Sequence, residues 1–306
     1  MANLTTILGP LTLRNPVITA SGTFGYGKEY SGLIPFDKLG AITVKGVSPL
    51  PSDGNPMPRV CEVYGGMLNA IGLQNPGVEK FLHGADYLPY LRTLPCPVIV
   101  NIYGKNLEQY GEVARRLEAE KEGIAALEIN ISCPNVKEGG IAFGTDTRQA
   151  AAVVAEVRKN TTLPLITKLS PNVTRIGDFA QSVVEAGSDM ISLINTIPGL
   201  SIDIETRRAR LANVTGGFSG PALKPIAVRM VYEARRAVSV PIIGMGGIRT
   251  GLDALEFLMA GANAVGVGTA IFSDPGCLLR IPEEISDWLD RHGCHSVEEI
   301  IGTFRA

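Results

Sequence analysis

No stretch of this 306-residue chain approaches the ~18 consecutive apolar residues needed to cross a bilayer, so a membrane-spanning reading is excluded. Charge of either sign is not in excess. With 28 basic and 30 acidic residues the net charge is −2, which offers nothing to nucleic acid or to an anionic membrane surface. Thiols are sparse and scattered: Cys61, Cys96, Cys133, Cys277 and Cys294 form no CxxC pair. That pattern argues against a disulfide framework and against a zinc or iron–sulfur site held by this chain. Only three histidines are present. Two of them, His292 and His295, flank Cys294, but with no further ligand cluster in the sequence they read as exposed residues at a helix end. The opening MANLTTILGP has neither a basic n-region nor a continuous apolar core, so no secretory signal is expected and the expected location is the cytoplasm.

Glycine is what the chain does have in quantity, with 35 residues, alongside 20 prolines. In the absence of low-complexity tracts they imply many turns between short elements. The apolar runs resemble one another. They are PVITA (16–20), AITVKGV (41–47), PVIVNIYG (97–104), ALEINIS (126–132), PLITKLS (164–170), MISLINT (190–196), PIIGMGG (241–247) and AVGVGTA (264–270). Short Val/Ile-rich runs of this kind suit strands covered on both faces, hence a parallel sheet. Amphipathic helical patterns lie between them, at 108–123, 147–160, 175–187, 225–238 and 251–261. Eight strands alternating with helices predict an α/β fold, a TIM (β/α)8 barrel, with residues 1–306 forming one domain. An open doubly wound sheet is disfavoured because no GxGxxG follows the first strand. LTTILGPLTLRNP (4–16) falls outside the repeat and reads as an N-terminal β-hairpin that covers the bottom of the barrel.

The carboxyl ends of the eight runs carry Ser21, Lys45, Asn101, Asn130, Lys168, Asn195, Gly246-Gly247 and Gly268-Thr269. In such barrels this rim is where chemistry is placed. Long segments after two of the strands, 46–77 and 197–220, are expected to sit over the rim as inserted loops and wall a pocket. A third, 134–146, suits a lid. The charged run IETRRAR (204–210) reads as a solvated face.

Each rim group admits a functional and a plain reading. Glycine pairs after the seventh and eighth strands let backbone N–H groups approach a phosphate, although tight turning also wants glycine. Lys45 and Lys168 lie in apolar strands, and no Asp or Glu ends another strand to offset them, so a bound anion is the simplest partner. Schiff-base chemistry and a side chain reaching to water are the rivals. Asn69, Asn101, Asn130, Asn135 and Asn195 offer donors and acceptors without charge, matching a pyrimidine or flavin edge; asparagine is also common in turns. Cys133 has no histidine near it in sequence. It would act as a base only with thiolate character, and its plain reading is an inert thiol.

NAIGLQNPG (69–77), EINISCPN (128–135), the Lys45 strand, TKLSPN (167–172), INT (194–196), GGFSGPALKP (216–225), GMGG (244–247) and GVGTA (266–270) together resemble the dihydroorotate dehydrogenases, nearly end to end. Cys rather than Ser in the catalytic loop is similar to the class 1 enzymes. ASGTFGYGKEY (20–30) and GGMLNAIGLQNPG (65–77) are most similar to the NAD-linked class 1B. The resemblance implies an FMN enzyme of pyrimidine biosynthesis that oxidises dihydroorotate to orotate, with Cys133 as general base. It implies that Ser21, Lys45, Gly46, Asn101, Asn130, Lys168, Ile194, Gly220, Gly246, Gly247, Gly268 and Thr269 hold FMN. Substrate contacts would come from Lys45, Asn69, Ile71, Gly72, Leu73, Asn130, Asn135, Asn195 and Thr196. No metal is implied in this chain. FAD and a [2Fe–2S] cluster would belong to a partner subunit, in a heterotetramer of two such chains and two electron-transfer subunits. Three alternatives stay open at this point: a class 1A-type homodimer reducing fumarate, a flavin barrel acting on another dihydropyrimidine, and a flavin-binding scaffold without turnover.

Overall fold

The computed structural model describes residues 1–131 and 143–305. Eight parallel strands carry the architecture: β1 (Val17–Thr19), β2 (Ile42–Val47), β3 (Val98–Ile102), β4 (Ala126–Asn130), β5 (Leu165–Lys168), β6 (Met190–Leu193), β7 (Ile242–Met245) and β8 (Ala264–Val267). Their order in the sheet is β1-β8-β7-β6-β5-β4-β3-β2. A parallel bridge between Ile18 and Ala41 joins the two ends and closes the barrel. At this seam the Thr19 hydroxyl stands in for the regular ladder: it accepts from the Thr43 N–H at 2.9 Å and donates to the Thr43 carbonyl at 3.3 Å.

Alternation along the strands builds two cores from one sheet. Val17, Val98, Val100, Leu127, Leu165, Ile191, Ile242 and Val265 face outward to the helices and belong to the large core. Ile18, Ile99, Ala126, Ile166, Met190, Ile243 and Ala264 form a separate inner core. Leu8 and Leu13, from an antiparallel hairpin of Thr6–Leu8 and Leu11–Leu13, join that inner core and are both fully buried. The hairpin therefore plugs the bottom of the barrel, as the sequence predicts. Burial of one such leucine is worth about 1.5–3 kcal/mol.

Helices α1 (Val78–His83) and α2 (Leu88–Leu91) follow β2, and α3 (Leu107–Ala119) follows β3. Next come α4 (Thr147–Asn160), α5 (Ile176–Glu185), α6 (Lys224–Ala237), α7 (Gly251–Met259), the short α8 (Ala270–Ser273) and α9 (Cys277–Arg291). Their starts are written locally. Asp146 caps α4 by accepting from the N–H groups of Arg148 and Gln149, and Thr250 with Asp253 forms a capping box on α7. In α4, Ala150, Val153, Val154 and Val157 turn one stripe inward. α3 ends at Ala119, short of the expected 123, because the chain turns there and Gly123 takes a left-handed φ of 78°.

The two long insertions do more than loop over the rim. Ile197–Leu200, Thr215–Ser219, Gly66–Asn69 and Val60–Val63 form one four-stranded antiparallel sheet, in that order. Pairing of Asn69 with Gly217 ties the insertion after β2 to the insertion after β6. IETRRAR lies across a two-stranded ribbon (Ile202–Asp203 with Arg208–Ala209) whose residues are mostly exposed. No helix among the described residues is long and apolar enough to cross a membrane.

Candidate functional site

Above the inner apolar core the barrel interior changes character within two residues, about 6.6 Å of strand. One alternation beyond Ile99, Ala126, Ile166 and Met190 stand Asn101, Glu128, Lys168 and Ser192, all at most 5% exposed. They form a connected polar layer. The Asn101 amide donates to Glu128 Oε2 at 2.6 Å and to Ser21 Oγ at 3.3 Å. Ser192 donates to Glu128 Oε1 at 2.8 Å, and Lys168 Nζ donates to Ser21 Oγ at 3.1 Å. Register places Asn130 beside Lys168 and Asn101 beside Glu128.

Most of the residues expected at the rim are brought into contact. Gly46 lies against Asn101, since a Cβ there would come within 2.9 Å of Asn101 Oδ1. Ile194, Gly246, Gly247 and Gly220 form a second group. A Cβ on Gly246 would meet Ile194 at 3.4 Å, and one on Gly247 would meet the Gly220 carbonyl at 3.0 Å. Gly246 and Gly247 have φ of 129° and 82°, and Gly220 has φ of 124°, a region that side-chain-bearing residues avoid. These glycines are thus required by conformation and close approach, whatever they bind. Gly268 packs against Ala20, and Thr269 donates to Ser219 Oγ at 2.8 Å, next to Gly220. Asn69 donates to the Gly217 carbonyl at 3.3 Å, and Gly217 itself abuts Thr196. The Asn195 side chain accepts from the Thr196 N–H at 2.8 Å.

Ile71, Gly72 and Leu73 reach the site by another route. Leu73 is held at a φ of 57°, a costly conformation for leucine. Its carbonyl accepts from the Tyr103 hydroxyl at 2.8 Å and from Asn75 Nδ2 at 3.0 Å, and Tyr103 in turn lies against Gly46. Asn75 also holds the Ser48 and Gly77 N–H groups, so it anchors the whole turn. Lys45 shares no hydrogen bond with another rim side chain among the described residues. Burial, reinforced by the nearby Arg59 guanidinium, pushes its ammonium below the ordinary lysine value, with Glu29 pulling weakly the other way. Neither Lys45 nor Lys168 forms an ion pair among the described residues. Cys133, Asn135 and the first part of the expected lid lie outside the described residues.

Sequence reasoning missed four residues here. No Asp or Glu ends a strand beside the lysines, as expected, but Glu128 is a buried acid in the same layer as Lys168. It stands two residues before the end of β4, on the same face of the strand as Asn130. Arg59, Asn75 and Tyr103 come from loops or strand exits, where no periodicity marks them. His292 and His295 are exposed, and among the described residues no cluster of three or more His, Cys, Asp or Glu could hold a metal.

A closed (β/α)8 barrel with a buried polar layer and a glycine-lined upper rim belongs to the class of barrel enzymes that work at the carboxyl ends of their strands. The model of one family, dihydroorotate dehydrogenase, matches residues 3–289, and the chain belongs to that family. It is 55% identical over 303 residues to the dihydroorotate dehydrogenase B (NAD(+)) catalytic subunit of Geotalea daltonii, covering 99% of this chain and 98% of that one. The protein of the same name from Geobacter sulfurreducens is 55% identical over 300 residues, with 98% and 97% covered. Among solved structures, DHODH from Eimeria tenella in complex with ferulenol superposes with a TM-score of 0.81 at 25% identity, covering 98% of this chain and 88% of that one.

Proposed function

We propose that the chain is the catalytic subunit of an NAD-linked dihydroorotate dehydrogenase, oxidising dihydroorotate to orotate for pyrimidine synthesis, and that it works as one FMN-binding domain. The observation that carries this reading is the buried polar layer meeting a glycine-lined rim in a chain of this family. The residues present fit the cofactor. Gly220, Gly246 and Gly247 lie together at the rim with positive φ, and glycine backbone of this kind suits the close approach of a phosphate. Lys168 is a buried cation with no carboxylate against it among the described residues, as an electron-rich ring requires. When bound there, FMN supplies the acceptor for the hydride that leaves C6 of dihydroorotate.

The protein's own groups do the rest. Cys133 takes the C5 proton on its sulfur, a general-base role worth roughly 10²–10⁴ in rate. Lys168 offsets the negative charge that gathers on the reduced ring. Lys45 and the backbone N–H groups near Gly72 and Leu73 receive the substrate carboxylate. Asn69, Asn130, Asn135 and Asn195 meet the amide edges of the dihydropyrimidine, with Thr196 beside them. The remaining cofactor contacts fall to Ser21, Gly46, Asn101, Ile194, Gly268 and Thr269. Electrons then leave to NAD through a second subunit carrying FAD and a [2Fe–2S] cluster, two of each chain forming a heterotetramer in the cytoplasm. The names of the relatives, which specify NAD(+) and a catalytic subunit, favour this arrangement over a fumarate-reducing homodimer.

Purified protein is expected to be yellow, and anaerobic dihydroorotate is expected to bleach its flavin absorbance. A colourless protein that takes up no FMN on reconstitution, or a flavin untouched by dihydroorotate, overturns the assignment. Co-purification from the native source with iron analysis tests the partner.

A further inference from the structure

Among the described residues Glu128 is the one acid in the polar layer of the barrel, and the proposed mechanism gives it no task. A carboxylate only 2% exposed is expensive to bury, by several kcal/mol unless it is compensated. It receives hydrogen bonds from Asn101 at 2.6 Å and Ser192 at 2.8 Å, but no ion pair among the described residues. We propose that Glu128 is a positioning residue for the cofactor. It locks the Asn101 amide and through it orients Ser21, the same hydroxyl that Lys168 holds. This rests on the flavin reading of the same site.

The logic follows from donor and acceptor inventories. Both carboxyl oxygens of Glu128 accept, Oε1 from Ser192 and Oε2 from Asn101, so Asn101 presents Nδ2 to it. The other Nδ2 hydrogen goes to Ser21 Oγ. Asn101 Oδ1 is thereby turned toward Gly46, where only the lack of a Cβ leaves it room. Ser21 Oγ accepts from both Asn101 and Lys168, so its own O–H is left as a donor of fixed direction. One buried acid thus sets an acceptor, a donor and a cation into a single pattern at the floor of the rim. A glutamine at 128 has the same size but can present either end of its amide, and the pattern loses its direction.

The test uses full-length protein stripped of flavin and titrated with FMN, followed by measurement of the bound flavin's midpoint potential. Glu128→Gln is expected to raise the FMN dissociation constant about tenfold or more, the usual cost of losing a charge-assisted hydrogen bond. It is also expected to move the potential to a more positive value, because removing a negative charge favours the electron-rich reduced ring. A merely structural role would leave the potential in place. Asn101→Ala should weaken FMN similarly, and the double variant should be no worse than Asn101→Ala alone. Wild-type affinity and potential in Glu128→Gln, or fully additive penalties, overturn the proposal. Should Glu128→Gln fail to fold, Ser192→Ala removes one donor to the carboxylate and is expected to weaken FMN about threefold; unchanged affinity there overturns it equally. Failure of the wild-type protein to take up FMN removes the flavin reading as well, whereas wild-type uptake with silent variants removes this inference alone.

Discussion

The two ends of the barrel are made by the same eight strands, yet they are chemically opposite. At the bottom, Leu8 and Leu13 of the hairpin join Ile18, Ile99, Ile166, Met190 and Ile243 in one apolar cluster. One alternation higher, Asn101, Glu128, Lys168 and Ser192 fill the interior with hydrogen bonds. The lower layer gains free energy by excluding water. The upper layer gives some of it back by burying polar groups, which persist only because each has a partner. Stability and chemistry are therefore separated along the strand axis, and substitutions at the two poles should have separable effects.

The sharpest break in that comparison is at the rim. Cys133→Ala is expected to slow flavin reduction by dihydroorotate roughly 10²–10⁴-fold, as loss of a positioned base does, while FMN affinity and melting temperature barely change. Stopped-flow absorbance measures the rate. Reduction at the wild-type rate would remove Cys133 from the role of base. At the opposite pole, Leu13→Ala should cost about 2–5 kcal/mol of stability in denaturant unfolding, as a cavity in a closed core does. FMN affinity should stay unchanged. A parallel loss of FMN affinity would show that the poles are coupled and not separable.

A third effect is smaller and depends on pH. Lys45 is pushed below the ordinary lysine value of 10.5, chiefly by burial and then by Arg59. Since the folded state disfavours the charged form, the fold gains stability as pH rises through that lowered pKa toward 10.5. Orotate binding should do the reverse. Its carboxylate needs the ammonium, so affinity should fall by about tenfold per pH unit at most once the lysine deprotonates, and it should start to fall below pH 10.5. Spectral titration of the bound flavin with orotate measures this. Lys45→Arg, which stays charged, should flatten the decline, and a flat wild-type profile would detach Lys45 from the carboxylate.

The bottom pole and the helices were legible in the sequence because their signals are local. Asp146 before Ala150, Val153 and Val157 marks α4 without help from the rest of the chain. The leucines around Gly9-Pro10 mark the hairpin in the same way. The rim was legible only in part. Residues that end strands were found by looking at strand ends, whereas Glu128, two positions inside β4, needed the period of two carried backward from Asn130. Pairing of Asn69 with Gly217 has no sequence signature, because the partners come from separate insertions. Tyr103 and Asn75 act through hydrogen bonds to the Leu73 carbonyl, and such contacts exist only once the loops are placed.

The smallest expected effect tests whether polar groups away from the rim serve stability alone. Glu118, in α3, accepts from Lys121 Nζ at 2.7 Å, Thr161 Oγ1 at 2.7 Å, the Thr162 N–H at 2.9 Å and Thr162 Oγ1 at 2.8 Å. These contacts tie the end of α3 to the segment that leads into β5. Partial burial would push the carboxyl up, but the hydrogen bonds outweigh it and hold the group at about 2, against an ordinary value of 4.5. A depressed carboxylate contributes stability that is complete above 4.5 and is lost as pH falls through about 2. Glu118→Gln is therefore expected to cost about 1–2 kcal/mol at pH 7, and the gap from wild type should narrow steadily as the pH is lowered across that window. Urea unfolding at pH 7 and again near the lower limit reads both values. Because Glu118 shares no hydrogen bond with the polar layer around Lys168, FMN affinity should not move. Equal stability of the two proteins at pH 7 would show that these four hydrogen bonds merely replace those to water.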